Sequence, residues 1–122
     1  MSNTRKLSSY YIRLAKTPIS EYEFSGEDVR FTSEYEALER ELGKANSIHG
    51  NGHVDWLKVL DGSELLLREQ SKDLRAAVWL TWALHQREAL PGLLAGLGML
   101  RYLCEHHWQT LYPLKMRTRS AA

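Results

Sequence analysis

A single cysteine, Cys104, leaves this chain without an intramolecular disulfide, so cysteine usage gives no pointer to an oxidising compartment. Charge of one sign is scarce in the balance as well. A formal net charge of +1 argues against a non-specific nucleic-acid binder, which would show a basic excess. Long apolar runs are missing: Ala89 to Leu100 is the longest and falls short of the roughly 18 to 20 residues that span a bilayer. The first twenty residues hold no apolar stretch of signal-peptide length. Neither strand-like alternation nor an internal repeat is present. A cytoplasmic, all-α domain with no membrane crossing of its own is the expectation these absences leave.

What is present fits one domain. With 122 residues, 43% hydrophobic and 25% charged, the chain has material for a single core. Its charge is segregated. Arg5, Lys6, Arg13 and Lys16 open the chain without an acid between them, and Lys115, Arg117 and Arg119 close it. The middle is acidic, with Glu21, Glu23, Glu27, Asp28, Glu34, Glu36, Glu39 and Glu41 against Arg30 and Arg40. Two readings stand: a solvated acidic helix face between basic ends, or a charged docking patch on Glu34, Glu36, Glu39 and Glu41.

Helical signals follow one another from residue 33 onward. Ser33 with Glu36 reads as a capping box, Tyr35, Leu38 and Leu42 share a face, and Gly43 reads as the stop. A glycine- and asparagine-rich loop runs from there to His53. Asp55 is the expected N-cap of a helix opened by Trp56, and Ser71 that of the next, over about 72–88. From Ala76 to Leu84 that helix is apolar almost all round, which predicts a central, covered position. Pro91 suits a first helical turn, Gly92 and Gly96 allow close approach, and Tyr112-Pro113 ends the pattern. The expected architecture has about five helices, with Trp56, Leu74, Val78, Trp82, Leu97, Leu100 and Trp108 in the core. Lys72, Asp73 and Arg75, the polar start of the central helix, are expected at the surface, available to a partner.

Chemistry-bearing constellations are thin. Cys104 and His107 with His49 and His53 have ligand-like spacings but an order unlike any zinc finger. Gly96 to Gly98 lacks the third glycine of a dinucleotide loop, and Glu27 with Asp28 has no nucleophile or oxyanion site beside it. Ser71, Lys72 and Asp73 sit where caps and dipole-matching charges belong. No catalytic residue, cofactor or metal is expected.

Four pieces in order, "SGEDVRFTSEYEAL", "DWLKV", "SKDLRAAVWLTWAL" and "GLLAGLGMLRYLCEHHWQTLYP", resemble the ImpA-related N-terminal domain of TssA-type proteins of the bacterial type VI secretion system. The telling positions are Gly26 and Asp28 before Phe31, Trp56, then Lys72, Asp73, Leu74 and Arg75 ahead of Trp79, and Trp108 with Leu111 and Pro113. Phe24 and Ser25 depart from the proline and small residue that usually precede the glycine, and the 43–54 loop matches no family pattern. The resemblance covers 18–113, preceded by a basic arm over 1–17 and followed by a linker start over 114–122. It implies a non-enzymatic scaffold in the cytoplasm, at the inner face of the inner membrane in anchored relatives, acting in assembly of the baseplate and of the contractile tail tube and sheath. The partners implied are other tail, baseplate or membrane-complex proteins, with homo-oligomerisation through later domains. A stand-alone helical adaptor that binds a peptide or protein outside secretion is the alternative.

Overall fold

The computed structural model describes residues 2–46 and 53–113. Helix α1 (Ser2–Lys16) is followed by an irregular stretch, α2 (Ser33–Gly43), a 3-10 turn (Lys44–Asn46), α3 (Trp56–Glu69) and α4 (Leu74–His107). Ala89, at φ 58° and ψ −142°, breaks α4 into two arms, 74–88 and 90–107. Five helical rods result, and among the described residues there is no strand, only two isolated bridges.

Close approach of the arms explains the hairpin. A Cβ on Gly96 would stand 2.6 Å from the Thr81 side chain, and Gly92 lies against the Leu84 carbonyl. Pro91, whose ring cannot continue a helix from behind, falls in the first turn of the second arm, where its missing N–H costs nothing. Both arms turn Ala77, Leu80, Leu84, Ala95, Met99 and Leu103 toward one core, closed by Tyr11 and Leu14 of α1, Leu66 and Leu67 of α3, and Tyr35 and Leu38 of α2. A smaller cluster of Leu42, Val59 and Ala83, flanked by Trp56 and Trp79, seats α2 and α3 on the first arm.

Several expectations change. Residues read as a basic arm form α1, whose Tyr11, Leu14 and Ala15 are buried against the rest of the domain, because the arginines and lysines occupy only its outer face. The caps shift toward the side chain best placed to accept. Thr32 caps α2 by accepting from the Tyr35 N–H, and Asp73 rather than Ser71 caps α4 by accepting from Ala76. Gly43 stays helical, and the chain tightens into the 3-10 turn beyond it. Asp55 caps α3 as expected.

The core is narrower than the apolar pattern suggested. Val78, Trp82, Leu97 and Trp108 are 48%, 41%, 47% and 43% exposed, and Trp56, Leu74 and Leu100 are half-buried. Alanine and glycine bring the arms together on small side chains, so the core fills from one side of the hairpin and the opposite side stays open. Trp82 lies on that open side with its ring against Trp56, centroids 4.9 Å apart. Full burial would make Trp82→Ala cost about 3 to 5 kcal/mol; the observed exposure lowers the expected loss to about 1 to 2 kcal/mol. Gly96 and Gly98 of the second arm should respond oppositely. Gly96→Ala is expected to cost about 1 to 3 kcal/mol through overlap with Thr81. Gly98→Ala, which meets nothing within 4 Å, should gain up to about 1 kcal/mol of helix propensity. Urea denaturation midpoints check both.

Candidate docking site

The polar start of α4 is buried, not presented. Lys72 and Asp73 are 1% and 0% exposed, and Ser71 is 0% exposed. The reason lies in the helix ends around them. A helix leaves its last four carbonyls without internal partners, and these carry the negative end of its dipole. The Lys72 ammonium donates to the Leu14 carbonyl in the last turn of α1 at 2.8 Å and to the Leu67 carbonyl in the last turn of α3 at 2.9 Å. One cation thus terminates two helices, with the Phe24 ring 5.6 Å from it and His107 stacked on Phe24 at 3.6 Å. Burial, helped by the Arg68 charge, pulls this ammonium down to about 8.

A backbone joint surrounds it. Ser25 accepts from the Lys72 N–H at 2.8 Å, Glu27 donates to Gln70 at 3.0 Å, Tyr112 donates to Lys72 at 3.1 Å, and Leu74 donates to Tyr112. Three distant segments, 25–27, 70–74 and 110–112, are sewn together there. Gly26 is at φ 73°, and any Cβ would overlap the Gln70 carbonyl, so glycine is required at this family position. Asp28 closes the turn after it, accepting from the Arg30 N–H at 3.0 Å and pairing with its guanidinium at 2.7 Å, which holds the carboxyl below its usual range. Asp73 is pushed up by burial, with one oxygen capping α4 and the other unpartnered.

Of the acidic residues proposed for docking, Glu34, Glu36 and Glu39 are exposed on α2. Glu41 is not. It is 4% exposed, accepts from the Asp55 N–H at 2.7 Å and pairs with Lys44 at 3.0 Å and Lys58 at 3.7 Å, so it ties the two ends of the 43–54 loop together. Arg75 remains outside, pairing with Glu39 at 3.1 Å and covering the Tyr35 and Trp79 rings at 5.6 and 5.5 Å. Glu39 and Arg75 thus form an exposed pair beside Trp79, and Glu34 and Glu36 add exposed carboxylates elsewhere on α2. Pro113 follows Tyr112 at the joint.

Sequence reading missed a second polar knot. Glu64 on α3 accepts from the Tyr10 and Tyr11 hydroxyls of α1 and pairs with Arg68. Burial and the Glu64 carboxylate raise Tyr11 well above the usual phenol value. Nothing in the local spacing announces this, since the partners are 53 and 54 residues apart. His49 lies outside the described residues, as do 114–122. Among the described residues no group of three potential ligands converges, so Cys104, His107 and His53 make no metal site there. No described helix is long and apolar enough to cross a membrane.

This geometry defines a small helical-hairpin domain whose buried polar groups bond helix ends, caps and neighbouring helices. Comparison with known proteins then places it. The family model described as ImpA, N-terminal, type VI secretion system matches residues 16–122. Among solved structures, the N-terminal domain including the conserved ImpA_N region of the TssA component of the type VI secretion system from Burkholderia cenocepacia superposes with a TM-score of 0.74 at 38% identity, covering 85% of this chain. The chain spans 39% of that structure's length. A search of curated proteins gives no match. The chain belongs to the ImpA N-terminal family and is a TssA-like type VI secretion component.

Two outcomes test the buried cation. Lys72→Met should cost about 2 to 5 kcal/mol in urea unfolding, because two buried helix-terminal carbonyls lose their donor. The pH response follows from the lowered ammonium: between about 8 and the ordinary 10.5 the unfolded chain binds the proton that the folded one has released, so stability rises with pH across that window. Above about 10 the raised Tyr11 and Tyr35 hydroxyls reverse the trend, since unfolded phenols ionise first. Thermal melts from pH 7.5 to 10 should show the rise in the native chain and lose it in Lys72→Met.

Proposed function

We propose that this domain is a non-enzymatic scaffold in type VI secretion, acting on the cytoplasmic side in assembly of the baseplate and the contractile tube and sheath. Membership of the ImpA N-terminal family across residues 16–122 is the observation that carries this reading. The site chemistry agrees with it: the buried charged groups are consumed by helix ends, caps and interhelical ties. Recognition then falls to the outer surface. The face of Glu34, Glu36, Glu39 and Arg75 is the docking surface for another tail, baseplate or membrane-complex component, and oligomerisation belongs to other parts of the full assembly.

Reversing Glu34, Glu36 and Glu39 to lysine tests this surface. All three are exposed, so the helical circular dichroism signal should hold and the melting temperature should move by no more than the shift from about 1 kcal/mol. Sheath assembly, followed as fluorescent sheath structures in cells carrying the variant, should fall. Normal assembly with the charges reversed would remove this surface from the docking role.

A further inference from the structure

A hollow of about 490 Å³ opens beside the backbone joint, with Tyr22, Glu23 and Phe24 on one wall and Gln109, Thr110 and Tyr112 on the other. That volume is within the range of small-ligand clefts. It is a separate surface from α2. Its floor is fixed: Ser25 bonds both the Lys72 N–H and the Thr110 hydroxyl, so the two walls are held at a set separation.

Charge at the mouth is negative and uncompensated. Glu23 lines the hollow, Glu21 and Glu27 lie close to it in the chain, all three are exposed, and no ion pair engages them among the described residues, whereas Asp28 is neutralised by Arg30. Nearby cations face elsewhere. The Lys72 ammonium points away toward Leu14 and Leu67, and burial together with the neighbouring His106 and Lys72 charges holds His107 below its ordinary value. Aromatic surface completes the set. Phe24 is already stacked on His107 and has the Lys72 ammonium near its ring, but Tyr22 is 88% exposed and free to cover a guest. A cleft lined by the Glu23 carboxylate and the Tyr22 and Tyr112 phenols, with no cation paired to that carboxylate among the described residues, suits a guanidinium, which forks to a carboxylate and stacks on a ring at once.

We infer that this cleft receives an arginine side chain from an extended basic segment of a partner protein, held between Tyr22 and Tyr112 with Glu23 as its counter-ion. The guanidinium is preferred over an ammonium because its planar fork can bond the carboxylate through two N–H groups while its face stacks on a ring.

The test uses the full chain and a fluorescein-labelled peptide, Gly-Ala-Arg-Ala-Arg-Ala-Gly, followed by fluorescence anisotropy. Binding is expected to weaken about tenfold in Tyr22→Ala and more in Glu23→Arg, both at exposed positions that leave the fold intact. The lysine analogue of the peptide should bind more weakly than the arginine one. Glu34→Arg with Glu36→Arg should bind as the native chain does; an equal loss there would mean diffuse attraction to acid and overturn the site. Unchanged affinity in both cleft variants, or equal affinity for the lysine peptide, would also overturn it. Neutralising Lys115, Arg117 and Arg119 should leave peptide affinity unchanged. A rise would show that this chain's own basic residues compete for the cleft, against the assignment to a partner.

Discussion

One ammonium group sets the positions of most of the domain. Lys72 cannot be moved without releasing the carbonyl ends of α1 and α3, and its own backbone is bonded on both sides by the segments around Ser25 and Tyr112. A buried charge is a poor source of raw stability, since desolvation opposes the attraction it gains. Its contribution here is geometric. Two helix dipoles end on the same point, so α1 and α3 are fixed in relation to each other and to the start of α4 without needing a large apolar interface between them. The Glu64 knot performs the complementary task further along, where two tyrosine hydroxyls of α1 converge on one carboxylate of α3.

Apolar packing can then be economical. The hairpin uses alanine and glycine at its seam, which brings the arms close but leaves little bulk to wrap around them. Val78, Trp82 and Leu97 stay on the outward side as a consequence of that seam. The strained backbone at Ala89 belongs to the same design: a turn with no room for a loop demands a conformation that alanine adopts only at a cost, here compensated by the helices on either side.

How much of this was legible depended on the range of the interaction. Helix existence, the Asp55 cap, the break before Pro91 and the close seam at Gly96 are local, and the sequence displays them within a few residues. Placement of the caps at Thr32 and Asp73 differs by one or two positions because neighbouring hydroxyl and carboxyl groups compete, and only the chain's path decides which accepts. Lys72, Asp73 and Glu41 look like surface charge because each sits in a polar run. Lys72 and Glu41 are bonded to Leu14, Leu67 and Asp55, which no spacing rule links to them, and Asp73, a local cap on Ala76, is bridged to the distant Tyr112. The core expectation for Val78 and Trp82 failed for a related reason: a helix that is apolar all round announces that much of it is covered, without saying which face is left open. The cleft beside Tyr22 was invisible for the same cause, since its walls are 85 residues apart at Ser25 and Thr110.

The joint at Ser25, Lys72 and Tyr112 also orders events during synthesis. The α4 hairpin closes over short loops, with Thr81 and Gly96 meeting soon after both have been made. Tyr112 is the latest of the joint's residues in chain order. A nascent chain still holding that residue inside the ribosome has the hairpin but lacks the bonds that Tyr112 gives to Lys72 and Leu74. The joint therefore cannot close until residue 112 has emerged, well after the hairpin's own residues.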